Sequence, residues 1–165
     1  MPEVASAPAL PVIYRTTIVP AWVDFNGHLR DGYYMVLFSS AVDALMDLAG
    51  LDDAGRKATG HSWFTLEAHV NYLREVKQGA AVEVRLQVLG VDAKRLHVCL
   101  SLHPEGQAEV MAVSEQMLLN VDMAGPRATA FAPAVAAYVQ PLAAHHTHLR
   151  RPAQVGRVMA LPPAK

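Results

Sequence analysis

The chain has 165 residues, of which 52% are hydrophobic and 18% are charged, and its 14 Lys and Arg against 15 Asp and Glu leave a formal charge of -1. A chain of this length buries about 68–70% of its unfolded surface, so we expect one compact domain. The balanced charge argues against nucleic acid or an anionic membrane as a partner.

Cysteine usage and the first residues bear on the location of the protein. Cys99 is the only cysteine, which excludes an intrachain disulfide and any zinc or iron–sulfur site built from several cysteines. The first residues carry no basic segment typical of a signal peptide. No apolar run reaches the roughly 18–20 residues that span a bilayer. We therefore expect a soluble, cytoplasmic protein in which residues 1–11 form a loose N-terminal arm.

The first predicted elements are a strand, a loop and a long helix. Residues 12–19 are rich in β-branched side chains and lie between two prolines, which predicts a strand. Residues 22–31 follow neither periodicity and are predicted as a structured loop. Apolar residues then recur at helical spacing over residues 32–49, and Gly50 supplies a stop signal. Because the first three turns of this helix are apolar on both faces, we expect other elements to wrap around it.

Alternating polar and apolar residues predict the strands that form the wrapping layer. The alternation in residues 62–74 places Phe64 on one face and Glu67 and His69 on the other. Three further strands, separated by turns, are predicted to form a meander; they cover residues 82–88, 96–102 and 108–121. The fold class is therefore α+β, a curved antiparallel sheet around one long central helix, spanning residues 12–123. Residues 124–165 are predicted as a C-terminal extension that could hold a short helix at residues 134–139.

Two apparent motifs have simpler explanations. Residues 50–57 look like a phosphate-binding loop, but they follow a helix and place Asp52 and Asp53 where phosphate would lie. We predict a helix-exit loop there. Residues 145–148 contain three histidines with no carboxylate or cysteine at ligand spacing, so we predict a surface tail and no metal site.

The segment 24–31 is the strongest candidate site because it immediately precedes the long helix. Unpaired backbone N–H groups and the helix dipole favour negative charge at that position. The ionised carboxylate of Asp24 could attack a reactive acyl carbon or take a proton from water, which Asn26 could orient. The alternatives are structural: Asp24 forms an Asx-turn, Asp31 caps the helix, and Gly27 completes a tight turn.

The arrangement of these residues resembles a known enzyme family. The pattern Trp-Val-Asp-x-Asn-Gly-His-x4-Tyr-Tyr at residues 22–34, followed by residues 64–76, is similar to that of hotdog-fold acyl-CoA thioesterases of the 4-hydroxybenzoyl-CoA thioesterase type. The resemblance extends over residues 12–122. It implies the same order of elements that the periodicities predict, and agreement at two levels supports the fold assignment.

Three shorter segments, residues 64–69, 94–97 and 114–117, resemble one branch of that family in particular. This branch is associated with carnitine breakdown; its members hydrolyse betainyl-CoA and also occur fused to carnitine dehydrogenase. The chain has no Gly-x-Gly-x-x-Gly dinucleotide-binding motif. The resemblance therefore implies a stand-alone thioesterase acting on a small acyl-CoA, with betainyl-CoA as the favoured substrate. It implies no cofactor beyond the coenzyme A of the substrate, and a homodimer or a dimer of dimers.

The resemblance also assigns roles to residues of the candidate loop. Asp24 occupies the position of the catalytic carboxylate, and the backbone N–H near Asp31 or Gly32 lies where the family polarises the thioester carbonyl. Asn26 and His28 lie in the same loop and are further catalytic candidates. Direct attack by Asp24 and activation of water both remain open. Some relatives use a carboxylate of the buried helix instead; Asp43 and Asp47 are the residues available here, but we expect them to lie too deep to replace Asp24.

A betainyl group carries a quaternary ammonium, which aromatic faces bind with about 0.5–2 kcal/mol each and which carboxylates support. The candidate substrate-binding residues are Trp22, Phe25, Gly32, Tyr33, Tyr34, Trp63, Glu67 and His69. The alternative is that the aromatic residues anchor the core and that Glu67 pairs with an arginine. The candidates for binding the coenzyme A phosphates are Arg30, Arg74, Lys77, Lys94 and Arg95, with no choice among them.

Two other functions are compatible with the sequence. A hotdog hydratase or dehydratase acting on acyl-CoA needs a histidine base paired with a carboxylate, and His28 and His69 are the histidines that could serve. A non-catalytic acyl-CoA binding module would need neither group.

Overall fold

The structure, a computed structural model, describes residues 10–161. Its elements follow the predicted order of one strand, a long helix and then antiparallel strands. They are β1 (Val12–Thr17), a 3-10 helix (Pro20–Trp22), α1 (Asp31–Leu48), α2 (Asp53–Thr59), β2 (His61–Tyr72), β3 (Ala81–Val91), β4 (Arg95–Pro104), β5 (Ala112–Asp122), β6 (Arg127–Ala128) and α3 (Pro133–His146). Apart from residues 10 and 11, the predicted N-terminal arm lies outside the described residues.

The strands form one antiparallel sheet in the order β1-β3-β4-β5-β2, with the short β6 attached to β5. The sheet curves so that its inner face receives one side of α1, and the predicted α+β class is confirmed. Alternate apolar residues of β3 and β4 form the inner face, and Leu37, Phe38 and Leu45 of α1 are fully buried against it. Burial of a side chain of this size contributes about 1.5–3 kcal/mol to stability.

The prediction that α1 is surrounded holds for one side of the helix only. Val36, Ser39 and Asp43 are exposed on the side that faces away from the sheet. A single curved sheet covers one side of the helix, so apolar residues that the sequence placed in a core, such as Val36, remain at the surface of the single chain.

A β-bulge in β2 changes which side chains face the helix. The register of β2 against β5 shifts between Thr65 and Glu67, so that Leu66 is an extra residue in the strand. Phe64, Glu67 and His69 pair with alternate residues of β5 and therefore share the outer face. The sequence prediction that Phe64 faces away from Glu67 is wrong because it assumed uninterrupted alternation.

Residues 53–59 form the helix α2 and not the predicted loop. The carboxylate of Asp52 caps α2 by accepting a hydrogen bond from the Gly55 N–H at 2.8 Å. Gly55 must lack a side chain because a Cβ there would lie 1.9 Å from the Gly50 carbonyl oxygen. Within residues 10–161 no single helix is long and apolar enough to cross a membrane, and α1 and α2, which together pass that test, are bent by 67°.

The C-terminal part of the chain contains a longer helix than the sequence predicts. Helix α3 has 14 residues and continues past Pro141, where the sequence predicted a short helix at residues 134–139. It is followed by the C-terminal strap, residues 147–161, which is hydrogen-bonded to the outer face of the sheet. Gly156 N–H donates to Glu115 at 2.7 Å, and the Gln87 side chain donates to the Arg150 carbonyl at 3.3 Å.

His146 joins α3 to the sheet, so the prediction that residues 145–148 form a surface tail is wrong for this residue. Its side chain is 3% exposed, and its Nδ1 accepts a hydrogen bond from the backbone N–H of Val88 at 2.9 Å. Burial lowers the pKa of His146 below the usual 6.5, and neighbouring His145 lowers it further. Neutral His146 therefore satisfies a donor that would otherwise be buried without a partner.

Replacement of His146 by alanine should reduce the free energy of unfolding by about 1–3 kcal/mol at neutral pH, because the Val88 N–H loses its acceptor. The pKa of His146 is lower in the folded than in the unfolded protein, so its contribution is present above pH 6.5 and is lost as the pH falls through the folded pKa. Urea unfolding at neutral and mildly acidic pH measures both effects. His148→Ala, at a less buried position of the same tract, is the matched control, and equal stability of the two variants would contradict this role.

Candidate active site

The loop from Val23 to Leu29 is a small hairpin fixed at both ends. Val23 and Leu29 form an isolated antiparallel bridge, the Asp24 N–H donates to the His28 carbonyl at 2.9 Å, and the Gly27 N–H donates to the Asp24 carbonyl at 3.0 Å. Gly27 has a φ of 76°, in the left-handed region of backbone conformation that glycine adopts more readily than other residues. The tight turn predicted at this position is therefore present.

The loop is bonded to the start of α1 and to the segment before β3. The Arg30 N–H donates to the Trp22 carbonyl, and its guanidinium Nε donates to the Val23 carbonyl, both at 3.0 Å. On the other side, the Leu29 N–H donates to the Val76 carbonyl at 2.7 Å. These bonds hold the loop beside the first turn of α1.

One oxygen of the Asp24 carboxylate is fixed by backbone donors. Oδ1 accepts hydrogen bonds from the N–H groups of Asn26 at 2.8 Å and His28 at 3.1 Å. These bonds, chiefly that from His28, lower the pKa of Asp24 below its ordinary 3.8 against the opposing effect of desolvation. Among residues 10–161 no donor occupies Oδ2 and no arginine pairs with this carboxylate. Asp24 thus forms the Asx-turn and also presents an ionised oxygen.

The first turn of α1 has no side-chain cap. Arg30 is the N-cap residue and makes no capping bond with its side chain, so the alternative in which Asp31 caps the helix is wrong. Asp31 is the first helical residue, and its carboxylate accepts from the Gly32 N–H at 2.8 Å. The N–H of Asp31 donates to no acceptor in the described part of the chain. This N–H is therefore the donor at the helix start that is open to a ligand, whereas the Gly32 N–H is occupied.

A cavity of about 290 Å³ lies at the start of α1. Its lining residues are Leu29, Asp31, Tyr34, Tyr72, Leu73, Arg74 and Glu75. Asp24 is not among them, so in the single chain the carboxylate stands at the loop beside this cavity and not in its wall. The predicted site residues do not include Tyr72 and Glu75, although both stand in the segment 64–76 that carries the family resemblance. Their position at the end of β2 becomes informative when the strand is placed against α1.

Two tyrosines contribute to the wall of this cavity. Tyr34 and Tyr72 make an edge-to-face pair with ring centroids 5.1 Å apart. The Tyr34 hydroxyl donates to the Arg74 carbonyl, and the Tyr72 hydroxyl donates to the Asp31 carbonyl, both at 3.2 Å. Burial raises the pKa of both tyrosines, so both are neutral donors that tie the end of β2 to α1.

The other aromatic candidates near the loop have different surroundings. Trp22 and Tyr33 stack with centroids 6.0 Å apart and pack the loop against α1. Phe25 is 97% exposed at the tip of the hairpin. Within one chain, therefore, Trp22 and Tyr33 support the loop, whereas Phe25 has no packing that accounts for it.

The side chain of His28 contacts the carboxylate of Glu75, whereas its backbone N–H binds that of Asp24. Its Nε2 lies 3.4 Å from Oε2 of Glu75, while its backbone N–H donates to Asp24. Asn26 is exposed and contributes its own N–H to the turn. The loop therefore contains one carboxylate held by backbone groups and one histidine whose side chain pairs with a carboxylate outside the loop.

Three predicted substrate residues lie away from Asp24 in the same chain. Glu67 and His69 are on the outer face of the sheet, where they line a cavity of about 250 Å³ with Glu115 and Arg157. Trp63 is buried at the opposite end of β2 and packs edge-to-face on Phe131. A single chain thus brings none of the three to the loop.

The basic candidates for the coenzyme A phosphates separate into two groups. Arg30, Arg74 and Lys77 lie around the loop and the helix start, and Arg74 is paired with Glu109 at 2.8 Å. Lys94 lies in the turn between β3 and β4, and Arg95 is the first residue of β4, at the other end of the sheet.

Comparison with known proteins places this geometry in a family context. Residues 18–139 match the model of a family described as the thioesterase-like superfamily. The chain is 53% identical over 152 residues to the betainyl-CoA thioesterase of Pseudomonas aeruginosa. The aligned region covers 92% of this chain and 96% of that protein. It is 38% identical over 142 residues to the L-carnitine dehydrogenase/betainyl-CoA thioesterase of Rhizobium meliloti, covering 86% of this chain but 28% of that longer protein.

Solved structures agree with the fold. A protein of Pseudomonas putida KT2440 is 44% identical, with a TM-score of 0.81 over 95% of this chain and 100% of that chain. A Staphylococcus aureus protein solved in complex with CoA is 26% identical, with a TM-score of 0.85 over 96% of this chain and 100% of that chain.

The hydrogen bonds to Asp24 predict a low titration midpoint. Because backbone donors stabilise the charged form, Asp24 should titrate below 3.8 in the folded protein. Its contribution to stability is present above that value and is lost as the pH falls through the folded pKa. Carbon-detected NMR of the side-chain carboxyl measures the midpoint. A midpoint at or above 3.8 would show that the loop does not hold the carboxylate as described.

Proposed function

The chain belongs to the thioesterase-like superfamily, and on that premise we propose that it hydrolyses betainyl-CoA to betaine and coenzyme A. The observation that carries the proposal is the ionised Asp24 carboxylate held beside the uncapped start of α1. The choice of acyl group is supported by the 53% identity to the betainyl-CoA thioesterase of Pseudomonas aeruginosa over nearly the whole of both chains.

The geometry supports two routes for Asp24. Its free Oδ2 attacks the thioester carbon, and water then hydrolyses the acyl-enzyme, or it takes a proton from a water that attacks the same carbon. In both routes the acyl group ends on an oxygen that comes from water, and the sulfur leaves as a thiolate that takes up a proton. Thiolate is a good leaving group, so the site needs no strong general acid.

The start of α1 stabilises the charge that develops on the carbonyl oxygen. The Asp31 N–H is the donor available there, and the positive end of the helix dipole lies in the same place. In acyl-transfer enzymes, one oxyanion donor is worth about 2.7–4 kcal/mol. The loop that carries Asp24 is hydrogen-bonded to Arg30, the N-cap of α1, which fixes Asp24 relative to this donor.

A homodimer formed through β2 is part of the proposal. β2 is an edge strand that pairs only with β5 in the described chain, and Leu66 on it is 56% exposed. An exposed apolar edge is a hazard for aggregation unless it is paired. Antiparallel pairing of two β2 strands about a twofold axis covers this edge and continues the sheet into the partner.

The acyl-CoA substrate class is supported by the CoA complex of the Staphylococcus aureus neighbour. We assign the phosphates of coenzyme A to the basic group near the loop, Arg30, Arg74 and Lys77, because these residues surround the helix start. A cytoplasmic location is also part of the proposal; it is supported by the single buried Cys99.

One observation favours a second candidate, a hydratase or dehydratase. The His28–Glu75 pair at 3.4 Å is the histidine–carboxylate arrangement that such an enzyme needs. Glu75 is exposed, however, and it lies outside the hydrogen-bonded loop that holds both Asp24 and His28.

Variants of Asp24 and His28 separate the two reactions. We expect Asp24→Asn to lower kcat for thioester hydrolysis by about 10²–10⁴-fold, the usual contribution of a catalytic acid or base. His28→Ala should retain most of the activity because the backbone N–H that binds Asp24 remains. Release of free thiol from betainyl-CoA measures hydrolysis. A hydratase would instead add water to an enoyl-CoA and release no thiol, so loss of enoyl thioester absorbance that depends on His28 and Glu75 but not on Asp24 would favour that candidate.

A charge on the β2 edge should dissociate the dimer. In Leu66→Asp, two like charges meet near the twofold axis and the apolar edge is lost, so we expect monomers in analytical ultracentrifugation. Val19→Asp, at an exposed apolar position after the opposite edge strand, should remain dimeric. The same oligomeric state for both variants would contradict pairing through β2.

A further inference from the structure

A second polar cavity lies at the end of α1 farthest from Asp24. It has a volume of about 400 Å³ and lies between α1, α2 and the start of β2. Its lining residues are Asp43, Met46, Asp47, Arg56, Ser62 and Trp63. None of them has a role in the hydrolysis described above.

The cavity carries an excess of negative charge. Arg56 donates to the Leu51 carbonyl and to the Asp53 carboxylate, both at 2.6 Å, and its contact with Asp47 is longer, 3.8 Å. Asp43 forms no ion pair with any residue in the range 10–161. The one guanidinium in the wall is thus largely committed elsewhere, and the Asp43 carboxylate is not neutralised.

This charge is unfavourable for the helix that carries it. Asp43 and Asp47 are four residues apart and repel each other on one side of α1. Asp47 lies in the last turn of the helix, where the dipole disfavours acids, and this turn contains no basic residue. A cationic ligand would relieve both effects.

Trp63 is the aromatic residue that lines the cavity beside these carboxylates. Its side chain is 7% exposed and is held edge-to-face on Phe131 with centroids 6.0 Å apart. Its indole N–H has no hydrogen-bond partner among the described residues. A quaternary ammonium has no N–H of its own to donate, so proteins bind it through aromatic rings and carboxylates. Trp63 and the two aspartates offer this combination.

The distance along α1 shows which active site this cavity can serve. Asp43 lies twelve residues after Asp31, which corresponds to about 18 Å along the helix. In a betainyl group a single methylene separates the nitrogen from the carbonyl carbon. The ammonium of a substrate held at the start of α1 therefore cannot reach the cavity of the same chain.

Pairing of β2 with a second copy removes this separation. In an antiparallel β2 pair, the Trp63 end of one strand lies opposite the Tyr72 end of the other. Both residues are on the inner face, because they pair with Asn120 and Ala112 of β5. The Tyr72 hydroxyl donates to the Asp31 carbonyl at the start of α1. The cavity of one copy is thereby brought beside the helix start of the other.

We infer that the cavity formed by Asp43, Asp47 and Trp63 binds the quaternary ammonium of the acyl group for the active site of the partner subunit. This inference rests on the proposed function and names its specificity site. The inference also gives Trp63 the substrate contact that the sequence predicts. In a single chain Trp63 lies far from Asp24 because the contact is made to the substrate of the partner.

The first experiment compares betainyl-CoA with its neutral isostere, tert-butylacetyl-CoA, which has the same shape without the charge. Wild type should prefer betainyl-CoA by about tenfold or more in kcat/KM, and Asp43→Asn should reduce this preference by about tenfold with little change for the neutral substrate. Asp47→Asn should act in the same direction. Glu105→Gln, which removes an exposed carboxylate at a distant turn, is the control for net charge.

Mixed dimers test whether the cavity serves the partner. In a dimer of one Asp24→Asn chain and one Asp43→Asn chain, one site combines Asp24 of the second chain with the intact Asp43 of the first. Mixing the two variants should therefore restore activity with wild-type preference for betainyl-CoA. If the cavity served its own chain, the only active site would carry the Asp43→Asn substitution and the preference would stay low.

The outcomes separate the two proposals. A wild-type enzyme that cleaves other acyl-CoAs but not betainyl-CoA overturns the proposed substrate and this inference with it. A wild-type preference for betainyl-CoA that survives in folded Asp43→Asn and Asp47→Asn, with folding checked by circular dichroism, overturns this inference alone. Loss of preference without recovery in mixed dimers contradicts the assignment to the partner.

Discussion

The position of one carboxylate relative to one helix start is the constraint on which the function depends. The hairpin of residues 23–29 holds Asp24 through its own backbone N–H groups and is bonded through Arg30 to the first turn of α1. The negative group and the positive end of the helix are therefore kept beside each other by hydrogen bonds that are mostly main-chain. Gly27 makes this possible, because its left-handed conformation closes the turn that aims two N–H groups at a single oxygen.

In a single chain, the cavity beside this pair lies at an unpaired edge of the sheet. The sheet covers one side of α1 and leaves β2 as an edge, and residues at the end of this edge strand line the cavity at the helix start. A second copy paired there would close the site and bring its own Trp63 end into the neighbourhood of Tyr72. In the proposed dimer, the partner would cover the exposed apolar edge and the ammonium of the bound substrate would neutralise Asp43.

Much of the fold could be predicted because its core follows simple periodicities. β3 and β4 alternate over most of their length, and their inner faces are those that the sequence indicates. Three local features could not be predicted. The extra residue at Leu66 reverses the faces of half of β2, the contact between Gly55 and Gly50 depends on a close approach of backbone, and Pro141 lies within a helix that the sequence ended earlier.

The candidate site could be predicted in its local part only. Residues 24–31 are contiguous, so their proximity to the helix start follows from the sequence, and the structure places them there. Tyr72 and Glu75 are about forty residues away and reach the cavity through the packing of β2 on α1. The strand pattern and the family resemblance group Glu67 and His69 with the site, but the bulge places them on the face of the sheet opposite to α1.

The most direct test of this placement is the carbonyl stretching frequency of the bound thioester. Isotope-edited infrared spectroscopy of betainyl-CoA labelled at the carbonyl and bound to Asp24→Asn, which should bind substrate without turning it over, reports the polarisation of the C=O bond. We predict a shift to lower frequency relative to the free thioester, because the Asp31 N–H and the helix dipole act on the oxygen. An unshifted band for the bound substrate would contradict the placement of the carbonyl at the start of α1.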